Sequence, residues 1–254
     1  MFLRFVFFCL LVVSVLTLPR LYQKTTHGFR LAKCRFEWPF VPEWETTSIC
    51  QNEILSQPFT YFAKGKQSYV FCSQDGQYVL KLFRFSKRKI LYGQMFRKPL
   101  MEELPSEERV IQTLSGCREI FERGPHVSQL VFVHLNPKKG EIPPILLKDR
   151  LGRNVRLDPG KDRFIVQRKG EVFFKRLKGE KDKEPLIAAF LRLLDELARL
   201  GFVNTDLTMG RNFGYLGGEV FLLDVGNLTC DPRLAEANRT HFIQKMHAWI
   251  EKHL

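Results

Sequence analysis

The chain has 254 residues, 44% of them hydrophobic and 13% aromatic, which is enough to bury one sizeable core or two small lobes and excludes a disordered tail. Forty Lys+Arg against 27 Asp+Glu leave a formal charge of +13, which favours anionic partners such as phosphates, nucleotides, lipid headgroups or nucleic acid without choosing among them. No fixed-period repeat or low-complexity tract is present, so collagen, solenoid and linker architectures are set aside.

Residues 1–18, MFLRFVFFCLLVVSVLTL, are apolar apart from Arg4, Ser14 and Thr17, and Pro19-Arg20 end the run. This is a signal peptide or a membrane anchor. It falls just short of the roughly 20 apolar residues of a spanning helix, while Val15-Leu16-Thr17 matches poorly the small residues of a cleavage site. Arg4 precedes the run, whereas Arg20, Lys24, Arg30, Lys33 and Arg35 follow it, and such an excess stays cytoplasmic. The expectation is an uncleaved transmembrane anchor with a cytoplasmic body, an exported or periplasmic body being the alternative. Cys9, Cys34, Cys50, Cys72, Cys117 and Cys230 contain no CxxC and no zinc-ligand spacing. A Cys34–Cys50 bridge requires an exported body, and buried free thiols are the plainer expectation. Asn227-Leu228-Thr229 and Asn238-Arg239-Thr240 match the glycosylation triplet.

Residues 19–57 carry aromatics, prolines and charges without clean periodicity and read as a linker and cap packed on the body. From Phe59 three short runs rich in aromatic and β-branched residues, PFTYFAKG, QSYVFCS and QYVLKLFRF, predict an antiparallel meander with a turn at Gln74-Asp75-Gly76. A helix is predicted over 106–114, with Ser106 as N-cap, early acids suiting the dipole, and Gly116 ending it. Residues 129–135 read as a strand, and ILLKD–RLGRN–VRLD as a hairpin leading into a strand at Phe164-Ile165-Val166-Gln167. Residues 148–183 hold thirteen Lys/Arg against six Asp/Glu, the signature of a solvated basic face. Their aromatics do not interleave with the basic residues as a stacking platform needs, which speaks against nucleic acid. Glu184-Pro185 opens a long amphipathic helix closed by Gly201. A last helix is predicted from about Leu234 to His253. His241, His247 and His253 recur every six residues, which does not align them on one face for a metal.

The chemistry concentrates after the long helix. Asn204-Thr205-Asp206-Leu207-Thr208-Met209-Gly210-Arg211-Asn212 is followed by the apolar strand Val220-Phe221-Leu222-Leu223 and then by Asp224-Val225-Gly226. A hairpin of this kind brings three oxygen-bearing side chains toward one point. Over residues 59–228 the chain resembles the protein-kinase-like fold, whose catalytic loop is H-R-D-L-x-x-x-N and whose metal motif is D-F-G. Upstream, Ala63-Lys64-Gly65-Lys66-Gln67-Ser68-Tyr69-Val70 has the spacing of G-x-G-x-x-G-x-V, and Tyr78-Val79-Leu80-Lys81 resembles the V-A-I-K strand.

The resemblance implies an α+β, two-lobe fold, with an antiparallel β N-lobe carrying one helix (about 58–170) and a reduced helical C-lobe (about 171–254). It implies ATP and Mg²⁺ as cofactors. Asp206 would be the catalytic base, Asn212 and Asp224 the metal ligands, and Lys81 the phosphate contact paired with Glu107 or else Glu108. Ala63, Gly65, Ser68 and Val70 would bind the nucleotide. The departures bear on activity. Asn204 and Thr205 replace His and Arg of the loop, Asn212 comes six residues after Asp206 instead of five, and only 28 residues follow Gly226, with no A-P-E. The peptide-binding lobe of ordinary protein kinases cannot fit, so the chain resembles the atypical kinases of sugars, lipopolysaccharide cores or small molecules. Two readings follow: a membrane-tethered ATP/Mg²⁺ phosphotransferase acting on an acceptor hydroxyl of a protein, lipid or sugar, or a pseudokinase that binds nucleotide or a partner without transfer.

Overall fold

The computed structural model describes residues 2–36, 38–46, 52–65, 67–84, 107–140 and 142–253. Ser106 and Cys50, and with them the expected N-cap and the Cys34–Cys50 bridge, lie outside these residues, as does Lys66. The apolar N-terminus forms helix α1 (Phe2–Thr26), which passes through Pro19 instead of stopping there. Its last turn is tightened by the Thr25 and Thr26 hydroxyls, which donate to the carbonyls of Leu21 and Tyr22. It ends where His27 and Gly28 take positive φ. Among the described residues no helix is long and apolar enough to cross a membrane, so the expected transmembrane helix is not found. Phe7, Phe8, Leu11, Val13, Val15 and Leu18 nevertheless stand uncovered on α1.

The aromatic and β-branched runs form the meander as the period-2 pattern requires: β1 (Phe59–Lys64), β2 (Ser68–Ser73) and β3 (Tyr78–Phe83), antiparallel in register. They lie inside a seven-stranded sheet ordered β4-β7-β3-β2-β1-β5-β6, with β4 at Leu130–His134, β5 at Ile145–Lys148, β6 at Asn154–Leu157 and β7 at Phe164–Arg168. The expected hairpin is β5–β6. The sheet is not purely antiparallel, because β5 joins β1 in parallel through Phe59↔Leu147 and Thr60↔Lys148. One face buries Phe59, Phe71, Leu80, Leu82 and Val166 against Phe29 and Cys34 of the N-terminal segment. The other buries Phe83, Val133 and Ile165 against helix α3 (Glu107–Arg123), the short helix α2 being Asn52–Ser56.

Helix α3 outruns its predicted end. Val110, Thr113, Leu114, Cys117 and Ile120 continue one buried stripe straight past Gly116. Gly116 serves packing instead: a Cβ there would collide with the Leu228 carbonyl oxygen. The one-turn helix α4 (Pro125–Ser128) then leads into β4.

The second half is helical with small sheets. After β8 (Glu171–Val172) come α5 (Phe173–Gly179) and the long helix α6 (Glu184–Arg199), which buries Leu186, Ala189, Phe190, Leu193, Leu194 and Leu197 on one face. Each of its large side chains contributes about 1.5–3 kcal/mol of transfer free energy. Gly201 takes φ +77° and turns the chain into β9 (Phe202–Asn204). Then follow α7 (Met209–Asn212), the hairpin β10 (Phe213–Leu216) and β11 (Glu219–Leu222), β12 (Leu228–Cys230), and the terminal helix α8 (Pro232–His253). Phe190 and Phe213 meet at 4.9 Å, and Phe213 and Phe242 at 5.5 Å, which pins α6, β10 and α8 beneath the loop that carries Asp206.

Candidate functional site

A cleft of about 930 Å³ lies between the β1–β2 hairpin on one side and α5, α7 and the end of β11 on the other. Ala63, Gly65, Ser68, Val70, Lys81, Asp206, Asn212 and Asp224 all border it. Of the residues expected from sequence, the structure leaves out only Glu107. That side chain, like Glu108, is exposed on the first turn of α3 and does not line the cleft.

Lys81 is set by strand alternation: Leu80 and Leu82 enter the core, so Lys81 turns the other way, toward the cleft. Its ammonium donates to the Leu223 carbonyl. Burial pulls its pKa down, opposed by the nearby Asp224 carboxylate and more weakly by Cys117. From α3, then, the titratable side chain that bears on the lysine is a thiol where a carboxylate was expected. Burial, followed by the Asp224 charge, pushes that thiol up to about 12, so Cys117 is neutral. The same face of α3 grips the segment after Asp224, with Thr113 Oγ1 donating to the Gly226 carbonyl at 2.9 Å.

The loop after β9 is built from hydrogen bonds. Asn204 Oδ1 accepts the Asp206 N–H at 3.0 Å, and the Asn238 side chain on α8 spans the Asn204 backbone, accepting its N–H at 3.1 Å and donating to its carbonyl at 3.1 Å. A polar clamp thus anchors the loop where the family pattern has a histidine. It also occupies both polar atoms of the Asn238 amide. Asp206 Oδ1 accepts the Thr208 N–H at 3.0 Å, turning the chain into α7. That single turn absorbs the extra residue before Asn212, whose Nδ2 still reaches the Asp206 carbonyl at 3.2 Å. The Asn212 carbonyl in turn accepts the Leu223 N–H at 2.8 Å, which ties the Asp206 loop to Asp224.

Asp224 Oδ1 accepts the Gly226 N–H at 3.0 Å, and its Oδ2 has no partner among the described residues. Asn212 Oδ1 is likewise without a protein donor there. A carboxylate and an amide oxygen form a hard donor set that fits a Mg²⁺ already coordinated by phosphates. Among the described residues no group of three His, Cys, Asp or Glu could hold a metal by itself.

Two contributors escaped the sequence reading. Gln67, in the β1–β2 turn, donates from Nε2 to Asn227 Oδ1 at 3.3 Å, while its buried Oε1 has no partner. A Cβ on Gly226 would come within 2.8 Å of that oxygen, so Gly226 leaves the room in which the turn approaches Asp224. Gln167, buried on β7, donates to the Leu222 carbonyl at 2.7 Å and joins the large sheet to β11. No local pattern marks either residue, since both act across long sequence separations.

No family model and no curated protein matches the chain. Solved structures that match include WbdD at 2.2 Å resolution (19% identity, TM-score 0.40, 69% of this chain and 34% of that chain) and monomeric WbdD (18%, 0.34, 71% and 37%). A third is a co-crystal of WbdD with the kinase inhibitor LY294002 (16%, 0.34, 67% and 33%). The chain spans about a third of the length of these structures. In its own element order the chain is a mixed α+β structure, a meander with a helix packed on its sheet followed by a mostly helical half, with Lys81, Asp206, Asn212 and Asp224 bordering the cleft between them.

Proposed function

We propose that the protein is a membrane-associated phosphotransferase that uses ATP and Mg²⁺ and acts on an acceptor hydroxyl. The observation that supports this most is one cleft bordered by Lys81, Asp206, Asn212 and Asp224, which come from three separate parts of the chain, under the Ala63–Val70 hairpin. ATP with Mg²⁺ supplies the phosphoryl group and, through the metal, neutralises its oxygens when bound. The chain's own part is positioning. Lys81 offers an ammonium to the phosphates, Asn212 Oδ1 and Asp224 Oδ2 offer oxygens to the metal, and Asp206 takes the proton of the acceptor hydroxyl. Gly65 and Ser68, as small residues, let the hairpin approach the phosphates, the Gly65 N–H itself donating to the Ser68 carbonyl at 2.8 Å, with Ala63 and Val70 flanking the phosphates and the base. On this reading residues 58–170 form the nucleotide lobe, 171–254 the acceptor lobe and 19–57 a cap, and α1 holds the body at a membrane surface through its uncovered apolar side chains.

The pseudokinase reading is favoured by one observation, the thiol of Cys117 in place of a carboxylate beside Lys81. Melting of the full chain with and without ATP, and with and without Mg²⁺, tests the nucleotide site alongside Lys81→Ala and Asp224→Asn. A Mg²⁺-dependent rise lost in both variants supports the phosphotransferase. A rise without any measurable ATP turnover supports the pseudokinase, and no rise in any condition rejects both.

A further inference from the structure

The basic stretch 148–183 is only partly a solvated face. Lys169, Lys175 and Arg176 line the cleft, and Arg211, between Asp206 and Asn212, joins them. Two of the four are already engaged: Arg176 pairs with Glu180 at 2.7 Å, and the Lys169 ammonium lies 5.2 Å from the Phe62 ring centroid. Lys175 and Arg211 are exposed, and neither side chain has a hydrogen bond or an ion pair among the described residues. They stand on α5 and α7, which pack against each other, on the same side of the cleft as Asp206 and Thr208. Lys81 and Ser68 belong to the large sheet on the other side, and Gly65 to its β1–β2 turn.

This division of charge matters under the phosphotransferase reading, on which the inference rests. There the donor phosphates are met by Lys81 and by the metal at Asn212 and Asp224, and neither Lys175 nor Arg211 belongs to that set. Two unengaged cations that border the same cleft as the base favour an anion where the acceptor must sit. Arginine adds a fork matched to phosphate, and lysine a mobile point charge.

We propose that the acceptor is itself anionic: a polyol that already carries a phosphate group, held by Lys175 and Arg211 so that a neighbouring hydroxyl faces Asp206. In the transfer that hydroxyl oxygen bonds to the γ-phosphorus, the bond from γ-phosphorus to the bridging oxygen breaks, ADP leaves, and the hydroxyl proton passes to Asp206. The phosphate already on the acceptor is untouched. A free polyol phosphate and the headgroup of an inositol lipid share this chemistry.

The test uses the full chain loaded with Mg²⁺ and a non-hydrolysable ATP analogue, and calorimetry with four probes. These are myo-inositol 1-phosphate, myo-inositol, phosphatidylcholine vesicles with phosphatidylinositol, and phosphatidylcholine vesicles alone. Lys175→Gln/Arg211→Gln is compared with wild type and with Lys178→Gln, an exposed α5 lysine outside the cleft. The expected result is a preference for a phosphorylated probe of about tenfold or more over its neutral counterpart, lost in the double variant and kept in Lys178→Gln. Preference for the soluble phosphate identifies a free acceptor, and preference confined to the inositol-lipid vesicles identifies a lipid headgroup; either supports the proposal. Binding of the nucleotide analogue without any phosphate preference, or with a preference the double variant retains, overturns it alone. Failure of every variant to bind the nucleotide analogue overturns the phosphotransferase reading and the inference together.

Discussion

Asp206 and Lys81 separate two kinds of contribution that a single side chain makes. Asp206 is held through its backbone by Asn204 and Asn212 and through Oδ1 by the Thr208 N–H, an acceptor that asparagine retains, so removing its charge leaves the loop's frame in place. Asp206→Asn is therefore expected to lower turnover about 10²–10⁴-fold while the nucleotide-dependent rise in melting temperature persists; loss of that rise would assign Asp206 to nucleotide binding instead. Lys81 carries a folding cost. Its pKa is depressed by burial, so between the depressed value and the ordinary 10.5 the unfolded chain binds more protons and stability rises with pH. Below that window the cost is present in full. Lys81→Met is expected to melt a few degrees above wild type without nucleotide and to gain nothing from ATP with Mg²⁺. A lower melting temperature would mean that the bond to the Leu223 carbonyl outweighs the desolvation. That Lys81, Asp206, Asn212 and Asp224 border one cleft was legible because each sits in a short local pattern on a strand or loop of the right kind. Glu107 misled because the rotation of α3 about its axis is set by packing: Thr113 and Cys117 face Asp224, and the first turn faces water.

At the scale of elements, α3 and the segment after Asp224 form one unit. Alanine at position 116 gains roughly 1 kcal/mol of helix propensity over glycine, but its Cβ would meet the Leu228 carbonyl oxygen, a backbone atom that cannot swing aside. Overpacking costs about 1–3 kcal/mol and strains the Thr113 bond to Gly226 as well. Gly116→Ala is thus expected to lower the urea midpoint with an unchanged m-value, and an increase would show that α3 can slide away freely. The true length of α3 was recoverable from the apolar stripe through Ile120, a pattern that outranks a lone glycine inside a helix. The parallel β1–β5 pairing was not recoverable, because partner choice between distant strands leaves no local trace. Nor was the strap before β1 readable in detail. Arg163, buried and lowered to about 10 by desolvation, donates to the carbonyls of Leu135, Phe36 and Trp38, and so fastens that strap to the large sheet. Arg163→Leu leaves those three carbonyls without their donor, and a loss of about 2–4 kcal/mol is expected in denaturant titration.

At the scale of the whole molecule, the proposed membrane association rests on two forces. The formal +13 draws the body toward anionic headgroups. Phe7, Phe8, Leu11, Val13, Val15 and Leu18 leave an apolar surface uncovered, while the end of α1 is tied to the β5–β6 turn by Arg150, which donates to the Lys24 carbonyl at 3.0 Å. The two forces answer differently to salt, since screening shortens the reach of headgroup attraction but leaves apolar burial intact. The full chain is therefore expected to float with phosphatidylcholine vesicles in high salt and to bind more strongly when phosphatidylserine is added at low salt. Phe7→Asp/Leu11→Asp/Val15→Asp should abolish the salt-insensitive part, because each acid placed in the apolar layer costs several kcal/mol. The same variant should keep the nucleotide-dependent melting rise, since none of the three residues lines the cleft. A wild-type chain that stays in the aqueous fraction at every salt concentration would remove α1 from membrane association, and the phosphate preference of the cleft would then point to a soluble acceptor.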